Sequence, residues 1–348
     1  MANYRNARNF GNGKTLSAFT VRNLSRQTST LANRGDALAL KVQSALKDLG
    51  RHLRERFGIR YLEKVEIHHL ESWAESLQGR LVEGEFSRST TSSYISAVNT
   101  LFATHDRSDL NLSAKAFGIE RDTKFSNLNL ANTPDSQEAF KSFCQARFNQ
   151  TGDVRYQALK HSVTIQAEAG LRFRESTQIK IAGKNLSGNR LHLVKGDGVK
   201  NGQPRSFEPN RMEGLRSAKA FVHENRSVFG KGSLIPVEAT YREYKAWAYD
   251  QVEAFRKVSP EHASYHFHGN RHDFAHREYS KAWKQKTGVA IQAPVISGAY
   301  GKDHIRNVTE STKLDANKAA EINKAINLEV AEKLGHHRVE SSYSYCGK

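Results

Sequence analysis

Cysteine is scarce: two residues, Cys144 and Cys346, in a chain of 348. Two thiols make neither a disulfide framework nor a four-cysteine zinc site, and they fit a reducing, cytoplasmic compartment. Cys346 stands beside Tyr345, yet no base accompanies it, so it reads as incidental. Long apolar runs are missing too. Nothing approaches the roughly 18–20 residues of a membrane-spanning helix, and the N-terminus lacks the apolar segment of a signal peptide, so no membrane partner is expected. Acids are absent from the first 34 residues. Internal repeats are absent as well, and no low-complexity tract follows that opening arm.

What is plentiful is positive charge. Lys and Arg number 53 against 36 Asp and Glu, a formal net charge of +17. Such an excess favours a polyanionic partner, of which nucleic acid is the commonest. Residues 1–30 form a basic arm, rich in Asn, Ser, Thr and Gly, able either to track phosphates or to remain a solvated tail.

Three helical stripes follow. Asp36 to Phe57 carries Val42, Leu46, Leu49, Leu53 and Phe57 at helical spacing, with Gly58 to end it. A second stripe is Ile67, Leu70, Ala74 and Leu77. A third opens in the Ser/Thr run 87–93 and continues with Tyr94, Ile95, Val98, Leu101 and Phe102. Short connections imply a small helical bundle over 31–110. Lys47, Arg51, Arg54 and Arg88 are its candidate DNA contacts, each equally readable as a solvated charge. A polar stretch, 111–135, reads as the linker.

A second domain, 136–348, is mainly helical. Its one clear β-hairpin has Arg190–Val194 alternating, Asn201-Gly202 as a turn, and Arg205-Ser-Phe-Glu-Pro returning. The fold class is therefore mainly α with a small β-hairpin or sheet, in two domains.

Within that domain the residues for attack on a phosphodiester appear in order. Such chemistry needs charge to hold the equatorial oxygens, a base for the nucleophile and an acid for the leaving oxygen. Arginine suits the first, because its planar fork donates bidentately and stays charged. Arg172, in Gly-Leu-Arg, and Arg271 are the two clamps. His268 stands one helical turn before Arg271 and suits the base. His336 follows Gly335, the cap of a helix with the stripe Ile322, Ile326, Val330 and Leu334, and is expected to donate a hydrogen bond to phosphate. Lys200, at the hairpin tip, is the expected acid, with Lys195 its rival. Tyr345, nine positions after His336, is the nucleophile, with Tyr343 competing at seven. Neither ATP, cofactor nor metal enters this scheme.

These residues, in this order and with this interval between His336 and Tyr345, resemble the tyrosine recombinases of the phage integrase family. The resemblance covers 136–348 in the catalytic residues and, by pattern, the preceding bundle, which is similar to the family's SAM-like core-binding domain. It implies a clamp on duplex DNA, a 3′-phosphotyrosyl intermediate, a homotetramer on paired recombination sites with monomer or dimer when free, and integration or excision of a mobile element. Glu175 resembles the family's acidic supporter of the first arginine. The sequence departs from the pattern where 65 positions separate Arg271 from His336. An insertion at about 284–323 must therefore loop out or form its own element.

Three other readings compete. His266, His268, His272 and His276 crowd one segment as a metal site would, but no His-Glu-x-x-His motif or cysteine pair accompanies them. A type IB topoisomerase uses the same chemistry to relax DNA without site preference. A non-catalytic DNA-binding protein would have lost catalytic groups, and here all six are present.

Overall fold

The computed structural model describes residues 36–59, 64–103, 107–120, 127–180, 186–194, 196–199, 204–209, 211–230 and 232–348. The basic arm lies outside them. The chain is mainly helical and divides into two units, Met1–Lys124 and Phe125–Lys348.

In the first unit, α1 (Asp36–Phe57), α2 (Ile67–Val82) and α3 (Arg88–Ala103) pack as a bundle. Leu46, Leu49 and Leu53 of α1 meet Leu70, Ala74 and Leu77 of α2 and Ile95, Val98, Leu101 and Phe102 of α3, all buried. Removing each such side chain from water contributes roughly 1.5–3 kcal/mol. Ile67 departs from its expected stripe. As the first residue of α2 it sits past the edge of the core, 38% exposed, and Trp73 takes the buried position instead. Asp48 is buried at the centre and accepts from Trp73 Nε1 (2.9 Å), Arg80 (2.9 Å) and Arg51 (2.9 Å). The stretch expected as linker is shorter than 111–135, because Leu112 and Ile119 are buried in this same core.

The second unit begins with α4 (Pro134–Thr151), whose Thr133 hydroxyl accepts from Ser136 N–H as an N-cap and whose first turn takes the proline. Then come α5 (Arg155–Ala169) and α6 (Phe173–Gln178). A three-stranded antiparallel sheet follows: β1 (Leu186–Ser187), β2 (Arg190–Leu193) and β3 (Arg205–Phe207), in that order. Leu191 pairs with Phe207 and Leu193 with Arg205 across the expected hairpin. The extra strand β1 is two residues long, too short to leave an alternation in the sequence. Beyond the sheet lie α7 (Glu213–Glu224), α8 (Arg226–Phe229), α9 (Tyr241–Val258), α10 (Phe267–Thr287), α11 (Pro294–Ser297), α12 (Gly301–Thr312), α13 (Ala316–Lys333) and α14 (Glu340–Cys346).

The expected insertion does not loop out. Its first residues finish α10 and its last begin α13, so the added elements are α11 and α12. Ile291, Ala293, Val295 and Val308 share one buried cluster with Trp283, Ile326, Val330 and Tyr345. Tyr279 of α10 donates to Asn323 Oδ1 (2.6 Å) and lies 2.7 Å from Nε2 of His304 on α12, tying the segment down by polar contacts as well. The interval between Arg271 and His336 is thus filled by core, and the core reaches the helix that bears Tyr345.

Candidate active site

The long helix α10 places Arg271 with its side chain wholly buried. A buried guanidinium must satisfy its donors, and two glycine turns supply the acceptors. Gly170 ends α5 at φ +63°, and a Cβ there would overlap the Phe274 ring. Only glycine fits, and its carbonyl accepts from Arg271 Nη1. Gly335 follows α13 at φ +73°, where a Cβ would strike the Arg205 guanidinium. The carbonyl just before it, Leu334, accepts from Arg271 Nη2 and, at 3.2 Å, from Arg205 Nη1. The Gly-Leu-Arg and Leu-Gly-His motifs are therefore the two jaws that hold one arginine. Burial pushes that guanidinium down to about 10, so it remains charged at neutral pH.

Arg172 caps the start of α6, and its Nη1 donates to Glu175 Oε1 at 2.7 Å. Arg205, from β3, reaches the same carboxylate at 2.8 Å, and Arg271 Nη1 stands 3.9 Å from it. Burial raises the Glu175 carboxyl, but the charges of Arg205, Arg172 and Arg271 outweigh it and hold the group below the usual carboxylate range. Among the described residues, Glu175 is the only carboxylate ion-paired to these three arginines. The cluster therefore keeps an excess of two positive charges.

Tyr345 comes in on α14, and its phenol oxygen accepts from Arg271 Nε at 3.0 Å. Two side chains fix that short helix. His276 Nε2 donates to the Tyr345 carbonyl at 2.7 Å, and Ser342 Oγ donates to Asn327 Oδ1 at 2.9 Å. Tyr343, the rival two residues earlier, is half-exposed, whereas Tyr345 is buried. His336 Nε2 stands 3.1 Å from Arg172 Nη2 and 3.5 Å from Arg271 Nη2. Guanidinium groups only donate, so this nitrogen accepts and carries no proton here. The expected donation to phosphate requires that arrangement to change. His268 is exposed, with its ring 5.7 Å from that of Tyr345. Desolvation, then the charges of Arg271 and Arg172, push it down to about 4, which leaves it neutral and able to accept a proton.

Of the expected site, Arg172, Glu175, His268, Arg271, His336 and Tyr345 come together. Lys200, its rival Lys195 and the turn Asn201-Gly202 lie outside the described residues. Two participants were not foreseen. Arg205 stood in the sequence only as the start of the returning hairpin strand, and a lone arginine in a three-residue strand carries no signal of a partner thirty positions away. His272, one turn beyond His268, packs its ring 4.7 Å from Tyr345. Among the described residues no group of three or more His, Cys, Asp or Glu is set to hold a metal ion, and this includes His266, the N-cap of α10, and His268, His272 and His276 within it. In the first unit, Lys47, Arg51, Arg54 and Arg88 are exposed. Arg51 pairs with Asp48, Arg54 Nε donates to the Gly50 carbonyl (3.1 Å), and Arg88 donates to the Gly118 carbonyl (2.7 Å).

No protein-family model matches the chain, and no curated protein matches it. Solved structures do. The Tn1549 transposon integrase in complex with transposon right end DNA is similar over 95% of this chain and 94% of its own, at 16% identity and a TM-score of 0.53. The XerH site-specific recombinase, in a post-cleavage complex with palindromic difH substrate, is similar over 97% of this chain and 86% of its own, at 17% identity and a TM-score of 0.52. Among the described residues no helix is long and apolar enough to cross a membrane.

Proposed function

We propose that this chain, which has the tyrosine recombinase fold, is a site-specific DNA recombinase that cleaves and rejoins strands through a 3′-phosphotyrosyl link. The observation that carries the reading is a tyrosine hydroxyl bonded to one of three clustered arginines that share a single carboxylate. A surplus of two positive charges in a largely enclosed cluster is costly without an anion, and a phosphodiester supplies one. Both solved structures named above hold DNA, which favours the same partner here.

In the proposed reaction Arg172, Arg271 and Arg205 hold the scissile phosphate, and His336 exchanges its guanidinium contacts for the phosphate. The phenol proton leaves by way of His268 on α10. The Tyr345 oxygen then attacks phosphorus, and the bond to the 5′-oxygen breaks. That oxygen takes a proton from Lys200, or from Lys195, to leave as a free 5′-hydroxyl. Attack by the 5′-hydroxyl of a partner duplex reverses the chemistry and completes exchange, in a homotetramer on two sites. The bond energy is kept in the covalent link, so neither ATP nor a metal is needed. Lys47, Arg51, Arg54 and Arg88 add phosphate contacts, which makes binding fall steeply with salt.

The test is a nicked suicide duplex carrying the target site, run in a chelator. Wild type accumulates a covalent protein–DNA adduct, and Tyr345→Phe binds the same DNA and forms none. An adduct that persists in Tyr345→Phe and vanishes in Tyr343→Phe overturns the assignment.

A further inference from the structure

The proposed scheme leaves one buried group at the site without a task. His272 is 3% exposed, and its Nδ1 is buried with no hydrogen-bond partner among the described residues. Its ring lies nearer that of Tyr345, at 4.7 Å, than the ring of His268 does at 5.7 Å, and the two histidines are 5.1 Å apart. Buried polar atoms are normally paired, so an unpaired nitrogen on a ring packed near that of a reactive phenol asks for an explanation. Packing alone does not give one, since an apolar side chain fills such a space without an orphaned nitrogen.

We infer that His272 is the immediate acceptor of the Tyr345 proton, and that the exposed His268 passes it on to solvent. The inference rests on the recombinase reading and names a further catalytic residue for the same site. Because the phenol oxygen already accepts from Arg271 Nε, its own O–H must point elsewhere, and the unpaired Nδ1 of the adjoining ring takes it once the two close to bonding distance. In the step, the O–H bond of Tyr345 breaks and an N–H bond forms on His272. The electron pair stays on the phenol oxygen and forms the bond to phosphorus, while the pair of the breaking P–O bond goes to the leaving 5′-oxygen. An imidazolium forming at His272 gives up a proton through His268, which alone of the two is open to water. His276 is not part of this path, because its Nε2 is committed to the Tyr345 carbonyl.

His272→Asn, which keeps a hydrogen-bonding group near the Nδ1 position but no basic nitrogen, should lose adduct formation on the suicide duplex by on the order of 10²–10⁴-fold, with DNA binding and unfolding temperature held. His272→Ala should lose as much, and added imidazole should restore it, with more basic imidazoles restoring more. His268→Asn should lose less than His272→Asn. Adduct formation by His272→Asn at the wild-type rate overturns the inference and leaves the recombinase reading standing. So does a loss in His272→Ala that imidazoles do not restore, which assigns the ring to packing. No adduct from the wild-type protein on its own site overturns both.

Discussion

Each unit of this chain buries one carboxylate among arginines, and the two clusters are balanced differently. In the first unit Asp48 accepts from Arg51 and Arg80, and Arg80 in turn reaches Glu85 at 3.2 Å. Two guanidinium groups face two carboxylates, and Trp73 Nε1 completes the shell. Charge is matched one for one, and such a cluster holds helices in register. In the second unit Glu175 faces Arg172, Arg205 and Arg271, with no other carboxylate ion-paired to them among the described residues. That cluster is held open by backbone carbonyls at Gly170 and Leu334 that accept hydrogen bonds without cancelling charge. Surrounding a buried carboxylate with arginines is common to both. Leaving them underbalanced, beside a tyrosine and a neutral imidazole nitrogen, distinguishes a place for an anion from a structural lock.

The comparison breaks most visibly through Arg172. Its replacement by Ala removes a charge aimed at the developing negative charge of the transition state, and loss of one such donor typically costs about 3–4 kcal/mol, or 10²–10³ in rate. Adduct formation by Arg172→Ala on the suicide duplex should fall by that factor, with a much smaller change in unfolding temperature. Comparable losses in rate and in stability would make Arg172 another lock. Asp48→Asn is the counterpart in the first unit. Removing the charge that two arginines share should cost about 3 kcal/mol, since breaking a buried ion pair leaves uncompensated charge. Calorimetry should show the loss in the first unit's transition alone, while a suicide duplex already bound is cleaved at an unchanged rate.

A subtler pair of variants tests the sign of the imbalance. Glu175→Gln removes the one negative charge and should tighten the binding of inorganic phosphate, whereas Arg205→Gln should weaken it. Each change is worth about 1.4 kcal/mol, or tenfold, for charges several ångströms apart at the effective dielectric of a partly buried site. The rise of unfolding temperature with phosphate concentration reads this in both directions, whatever the variants do to stability without phosphate. Shifts of the same sign would equate the Glu175 cluster with that of Asp48.

Much of this was legible in the sequence because the signals are local. Leu46, Leu49 and Leu53 recur at helical spacing, and Gly58 ends their helix. Arg172 and His336 each sit within two residues of a glycine that the backbone requires. Arg205 was not legible, because its partner Glu175 lies on another element and a strand of three residues has no periodicity to mark its buried side. Nor could the length of the interval after Arg271 reveal its packing. Ile291, Val295 and Val308 are spread over short elements, and only the tertiary fold brings them to Trp283 and Tyr345. His272 was visible as one of a crowd of histidines, but which of them meets the phenol depends on the approach of α14.

A last effect is set by pH, and it too separates the units. Burial, with neighbouring histidines and Arg271 adding to it, pushes His272 down to about 3, and burial alone pushes His304 down to about 4; both are almost fully buried in the second unit. In the first unit His52 and His69 are lowered as well, first by burial, but remain half-buried. An unfolded histidine titrates near 6.5. Between that value and the folded one the unfolded chain binds more protons, so stability rises with pH over this window. The contribution of His272 and His304 is fully present above about pH 6.5 and is lost as pH falls from there through about 4 for His304 and about 3 for His272. The Glu175 carboxyl, held low by its arginines, acts in the same direction at more acid pH. Calorimetry stepped from pH 7 to pH 4 should therefore move the second unit's transition down further than the first's, and His304→Gln should shrink the difference. Transitions that fall in parallel would show that the buried histidines of the second unit are already charged in the folded protein, which the neutral, proton-accepting role of His272 does not allow.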